Sequence, residues 1–155
     1  MKKIILFIAL PLPILIFFFL KFFGKNEFAV PVYWESGVER MIPGCKPYPV
    51  PYLVSDSSLR ALGWKGAKAT LLVLNTDGIR DNMNRVKDIF NEGDYETLTI
   101  DSPSYDVKTC ILLAGDTSKV VLIDDRRRIR GYYTPTTQKE TDRLGVELRI
   151  LLKQY

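Results

Sequence analysis

Two cysteines, Cys45 and Cys110, are the groups in this 155-residue chain best equipped for redox or soft-metal chemistry. They lie 65 residues apart, so neither CxxC nor CxxxC is present. The chain has no histidine. That removes the commonest general base, the usual hydrolytic triad and the commonest ligand for zinc or copper. Serine and threonine hydroxyls therefore have no imidazole to activate them, and no motif points to lysine in that role. Asp77 and Asp81, four residues apart, form a carboxylate pair on one expected helix face. As metal ligands they are hard oxygen donors, weak without further carboxylates. The simpler reading is that acidic residues in a first helical turn offset the helix dipole.

The cysteines allow three readings. They form a structural disulfide, they are two buried free thiols, or they act in redox or metal chemistry. An even count in an oxidising compartment favours the disulfide.

The compartment follows from the leader. Met1-Lys2-Lys3 is a positive start, and Ile4–Leu20 is uncharged. Phe22 and Phe23 extend the apolar run past Lys21, which can snorkel. This length covers a bilayer. A cleaved signal peptide is the alternative, but Phe22-Phe23-Gly24-Lys25 offers no small-x-small site and no lipobox cysteine. Residues 1–23 are therefore expected to be an uncleaved signal anchor. The expected location is a bacterial inner membrane, crossed once, with the C-terminal domain periplasmic. Removing Lys2, Lys3 and Lys21 from the 22 basic residues leaves 19 against 18 acidic ones. A folded part so close to neutral does not point to nucleic acid. Arg126-Arg127-Arg128 reads most simply as a solvated hairpin turn beside Asp124 and Asp125.

Residues 24–51 carry Pro31, Pro43, Pro47, Pro49 and Pro51 and read as an extended connector. The domain is expected over 52–155. Tyr52–Val54 is a short strand candidate, followed by a helical turn at Leu59–Leu62. Ala69–Leu74 is continuously apolar, as in a central strand buried on both faces. Ile79, Met83, Val86, Ile89 and Phe90 then recur on one helical face. Thr97–Ile100 alternates and closes a βαβ unit. Lys119–Ile123 and Ile129–Thr134 read as a β-hairpin. Strict alternation puts Ile129, Gly131 and Tyr133 on one face of its second strand and Arg130 and Tyr132 on the other. That second face is either partly open, with Arg130 and Tyr132 as an interaction surface, since both types serve as interface anchors, or, more simply, both tyrosines cover the sheet or pack under the last helix. Thr137 and Glu140 form a capping box for a last helix. Its apolar stripe is Thr141, Leu144, Leu148, Leu151 and Leu152.

A βαβ unit followed by a hairpin and a terminal helix is the way thioredoxin-like α/β domains finish. Val120-Val121-Leu122-Ile123-Asp124, Arg128-Ile129-Arg130-Gly131-Tyr132-Tyr133 and the closing Leu151-Leu152-Lys153 resemble the end of Sco/SenC proteins. These are membrane-anchored, thioredoxin-like proteins that bind copper and assist cytochrome c oxidase assembly. Leu62-Gly63-Trp64-Lys65-Gly66 is similar to their turn before the central strand, and Ile100-Asp101-Ser102-Pro103 to their Val-Asp-Pro segment. The likeness spans roughly residues 50–155 and is most specific at the hairpin. It implies a CxxxC after the central strand, where this chain has Gly78 and Asn82. It also implies a copper-binding histidine before the penultimate strand, where this chain has Gly115-Asp116-Thr117-Ser118. The segment between Ser102 and Lys119 is short for the helix the fold usually carries there. The expectation is a degenerate member of the family. It is non-catalytic, without cofactor or metal, and binds a periplasmic protein partner, in line with respiratory-oxidase assembly. The alternative is a copper chaperone or thiol–disulfide protein that uses Cys45 and Cys110.

Overall fold

The structure is a computed structural model and describes residues 11–23, 29–91 and 93–153. It is an α/β fold built on a four-stranded mixed sheet with a C-terminal helix. Helix α1 (Pro11–Phe23) and the short α2 (Asp56–Ala61) precede β1 (Ala69–Val73). Then come α3 (Arg80–Ile89), β2 (Glu96–Thr99), β3 (Val120–Asp124), β4 (Ile129–Tyr133) and α4 (Gln138–Leu152). Among the described residues no helix is long and apolar enough to cross a membrane. Residues 1–10, which hold part of the expected 4–23 span, lie outside the described residues.

The strand order is β2-β1-β3-β4. β1 and β2 run parallel, from Thr70 opposite Glu96 to Val73 opposite Thr99. β3 returns antiparallel to β1, with Ala69 opposite Asp124 and Val73 opposite Val120. β1 and β3 are buried along their whole length, which is why their sequences are continuous apolar runs rather than alternating ones. One face packs Leu71, Val73 and Leu122 against Met83 and Val86 of α3 and Leu144 and Leu148 of α4. The other packs Leu72, Val121 and Ile123 against Val54, Leu59 and Leu112.

α4 begins as its capping box requires. The Thr137 hydroxyl accepts from the Glu140 N–H at 3.4 Å. α3 begins later than expected, at Arg80, so Asp77 lies in the preceding loop and only Asp81 is in the first turn. Ile89 leaves its expected stripe and is 51% exposed, because the helix ends there and Phe90 turns extended into the core. Tyr52–Val54 is extended but joins no sheet. The Val54 N–H instead donates to the Arg127 carbonyl at 3.0 Å. Between Ser102 and Lys119 there is one wide helical turn, Asp106–Ile111, closed by Leu112 N–H to the Val107 carbonyl at 2.9 Å.

The Pro-rich stretch is not a free spacer. Val30 is buried, and Tyr33, Trp34, Val38, Ile42 and Tyr48 pack on the second face of the sheet. Tyr33 N–H donates to the Ile129 carbonyl at 2.9 Å, so the stretch also covers part of the β4 edge.

The hairpin departs from strict alternation. Leu122 faces Gly131 while Ile123 faces Ile129, which leaves Arg130 as an extra residue, a β-bulge. Ile129 therefore joins the second core face, and Tyr133 joins the first. The Arg130 guanidinium turns inward to Asp124 at 3.1 Å.

Candidate functional site

Parallel β1 and β2 end, and β3 begins, at the same edge of the sheet, so three loops converge there. Loops at the carboxyl ends of parallel strands are where open α/β sheets bind ligands. Here they enclose a polar cleft of about 360 Å³. Its rim comes from Asn75, Thr76 and Asp77 after β1, Asp101, Ser102 and Pro103 after β2, and Asp116, Ser118 and Lys119 before β3. Lys108, from the wide turn, completes it. The loops at residues 75–77, 101–103 and 116–119 thus meet in space.

Local hydrogen bonds shape each loop. The Asn75 side-chain oxygen accepts from Asp77 N–H at 2.6 Å, an Asx turn. Gly78 follows at φ +68°, a left-handed turn that suits glycine. The Lys119 ammonium donates to the Asp77 carbonyl. Lys108 Nζ donates to the Asp116 carbonyl at 3.1 Å. Both lysines therefore brace backbone carbonyls across the cleft. The Asp77, Asp101 and Asp116 side chains carry its negative charge.

Gly78 and Asn82, where the resemblance would call for cysteines, have other duties. Gly78 makes the turn into α3. Asn82 Nδ2 donates to the Pro135 carbonyl at 2.8 Å and ties α3 to the loop before α4. Ser118 N–H closes a turn on the Gly115 carbonyl at 3.1 Å where the histidine would stand. The cleft offers carboxylates, hydroxyls, amides and ammonium groups, but no thiol or imidazole. Among the described residues no cluster of three His, Cys, Asp or Glu side chains is placed to hold a metal ion. This set suits recognition of polar or cationic groups.

Cys45 and Cys110 are joined by a disulfide, with Cα atoms 5.3 Å apart. Neither lines the cleft. The bond staples the Pro-rich stretch to the wide turn that carries Lys108. Two tyrosines hold the same turn. Tyr52 donates to the Ile111 carbonyl at 2.5 Å, and Tyr132 to the Leu112 carbonyl at 3.0 Å. Burial pushes the Tyr52 hydroxyl up to about 12, with a smaller contribution from Tyr48. Burial also raises Tyr132, against a lowering hydrogen bond from Trp34.

Of the two readings of this face, the packed one describes the structure: Arg130 is buried and Tyr132 half-buried. Arg130 is only 8% exposed. One of its nitrogens donates to Asp124 at 3.1 Å and another to the Val30 carbonyl. Tyr132 accepts from Trp34 Nε1 at 2.9 Å, and its ring meets Tyr33 edge-on at 5.2 Å. The bulge and the folded-back Pro-rich stretch together turn this pair into internal joinery. Arg128 is likewise drawn to Asp124, at 2.7 Å, leaving Arg126 as the exposed member of the arginine run.

Sequence reasoning missed Lys108 and Lys119 as cleft residues. No local signal marks them: Lys108 lies in the wide turn and reaches the cleft only through the fold, as does Lys119 just before β3. Comparison of the chain with protein-family models, curated proteins and solved structures finds no match to any of them.

Proposed function

We propose that this chain is a thioredoxin-like protein related to Sco/SenC proteins. It is anchored in a bacterial inner membrane with its domain in the periplasm, and it works by binding rather than by catalysis, in respiratory-oxidase assembly. The sheet order β2-β1-β3-β4 with helices from the βαβ unit and the C-terminus on one face supports the thioredoxin-like reading. One observation carries the non-catalytic reading. Both cysteines are bonded to each other outside the cleft, while the cleft itself holds neither thiol nor imidazole.

The competing reading is a copper chaperone or thiol–disulfide protein using Cys45 and Cys110. It draws on Cys110 sharing the wide turn with Lys108, so that reduction would act close to the cleft. The test is photo-crosslinking in intact membranes, with the reactive group placed at Ser102 or, as a control, at Arg85 on α3. Capture of an oxidase-assembly protein from Ser102 and not from Arg85 supports binding at the cleft. A Cys45→Ser/Cys110→Ser protein that stays folded yet loses all effect on oxidase assembly would favour the thiol reading.

A further inference from the structure

The two ends of the sheet differ in charge, and the chain enters the domain at one of them. Val30 is 4% exposed, its carbonyl receives the Arg130 guanidinium, and Tyr33 N–H is bonded to Ile129. These contacts fix the entry point beside the β3–β4 turn. Phe23, the last residue of α1, is seven residues before Val30. Even fully extended, seven residues reach at most about 25 Å. On the anchored reading, the hairpin-turn end of the domain is thus held within that distance of the bilayer.

That end carries exposed cations. Arg126 is exposed in the turn, and Lys68 is exposed beside it, because Ala69 pairs with Asp124. Arg149 is exposed in the last turn of α4, which starts after a four-residue loop from β4 at the cleft end and runs back. Asp124 is neutralised internally by Arg128 and Arg130; the other carboxylates of this end are the exposed Asp125 and Asp88 and the half-buried Asp94 and Glu96, against which Lys65 and Lys87 are further exposed cations. The opposite end displays Asp77, Asp81, Asp101, Asp116 and Asp142 against the exposed Arg80 and Lys139, while Lys108 and Lys119 are engaged with carbonyls. A negative surface attracts the first end and repels the second. A short tether keeps the local concentration of that surface high.

We infer that the hairpin-turn end docks on an anionic bilayer surface through Arg126, Lys68 and Arg149, so that the cleft faces away from the membrane. The inference rests on the anchored reading. The test uses the full chain in lipid discs containing a paramagnetic headgroup lipid, with amide signals read by NMR. In phosphatidylglycerol–phosphatidylcholine discs, residues 125–128 should broaden strongly and residues 101–102 and 115–118 weakly. The contrast should fall to the smaller one set by the tether alone in pure phosphatidylcholine and at high salt. Arg126→Ala and Lys68→Ala should each weaken docking by about five-fold. Asp125→Asn, which removes the turn's exposed carboxylate, should strengthen it. Equal broadening at both ends, stronger broadening at the cleft, or indifference to lipid charge would overturn docking while leaving the anchor intact. A chain that does not stay with the discs would overturn both.

Discussion

The cleft end of the sheet is built from loops whose lysines brace single carbonyls, whereas the hairpin end is closed by one buried carboxylate. Asp124, 3% exposed, accepts from the backbone N–H groups of Arg126 and Arg128 and from the guanidinium groups of Arg128 and Arg130. Arg130 then passes the connection on to Val30. The hairpin end is thus locked through one carboxylate, whereas the cleft end is held by separate ties, the lysines on single carbonyls and the wide turn by the disulfide and two tyrosine hydroxyls.

The sharpest way to break the contrast is Asp124→Ala. It strands the Arg130 guanidinium in the interior, and we expect a loss of about 3–5 kcal/mol by denaturant unfolding. A loss under about 1 kcal/mol would mean that this end is not locked as described. Removing the disulfide by Cys45→Ser/Cys110→Ser should cost about 2–4 kcal/mol, since it closes a long loop. Gly131→Ala comes next. A Cβ there would collide with the Tyr133 ring, which itself holds Glu147. We expect about 1–3 kcal/mol of destabilisation. Adding Tyr133→Leu should recover part of it, so the two substitutions should not be additive.

Alkaline pH probes the tyrosines that hold the wide turn. The folded-state value for Tyr52 lies near 12, above its ordinary 10.0, so the folded protein retains a proton that the unfolded chain loses first. The resulting stability is intact below pH 10 and is lost as pH rises towards 12. Tyr52→Phe should flatten that part of the pH–stability curve. The smallest effect belongs to the cleft. Asp101→Asn and Asp116→Asn should change stability by no more than about 0.5 kcal/mol while lowering partner capture.

Much of the fold was legible because the apolar runs of β1 and β3 and the capping box at Thr137 are local signals. Asp124 with Arg128 and Arg130 was harder to read. A bulge is a one-residue shift that no periodicity announces, and it reversed the face of Ile129. The prolines near residues 43–51 signal extended backbone, but not whether that backbone is free or packed. Tyr33 and Trp34 decide the matter by reaching Tyr132, 99 and 98 positions away, which no local pattern encodes. The cleft was legible in part. The segments at Thr76, Ile100 and Gly115 were marked in the sequence, but Lys108 and Lys119 reach it only through tertiary placement.

The most direct test of binding without thiol or copper chemistry is a joint measurement on the full chain purified in detergent. The protein is loaded with copper and desalted, then assayed for metal and for thiols alkylated without reductant. We expect well under one copper per chain and no alkylatable thiol, with the Cys45–Cys110 peptide recovered intact. One copper held per chain and lost on Cys45→Ser or Cys110→Ser, or two freely alkylated thiols, would contradict it.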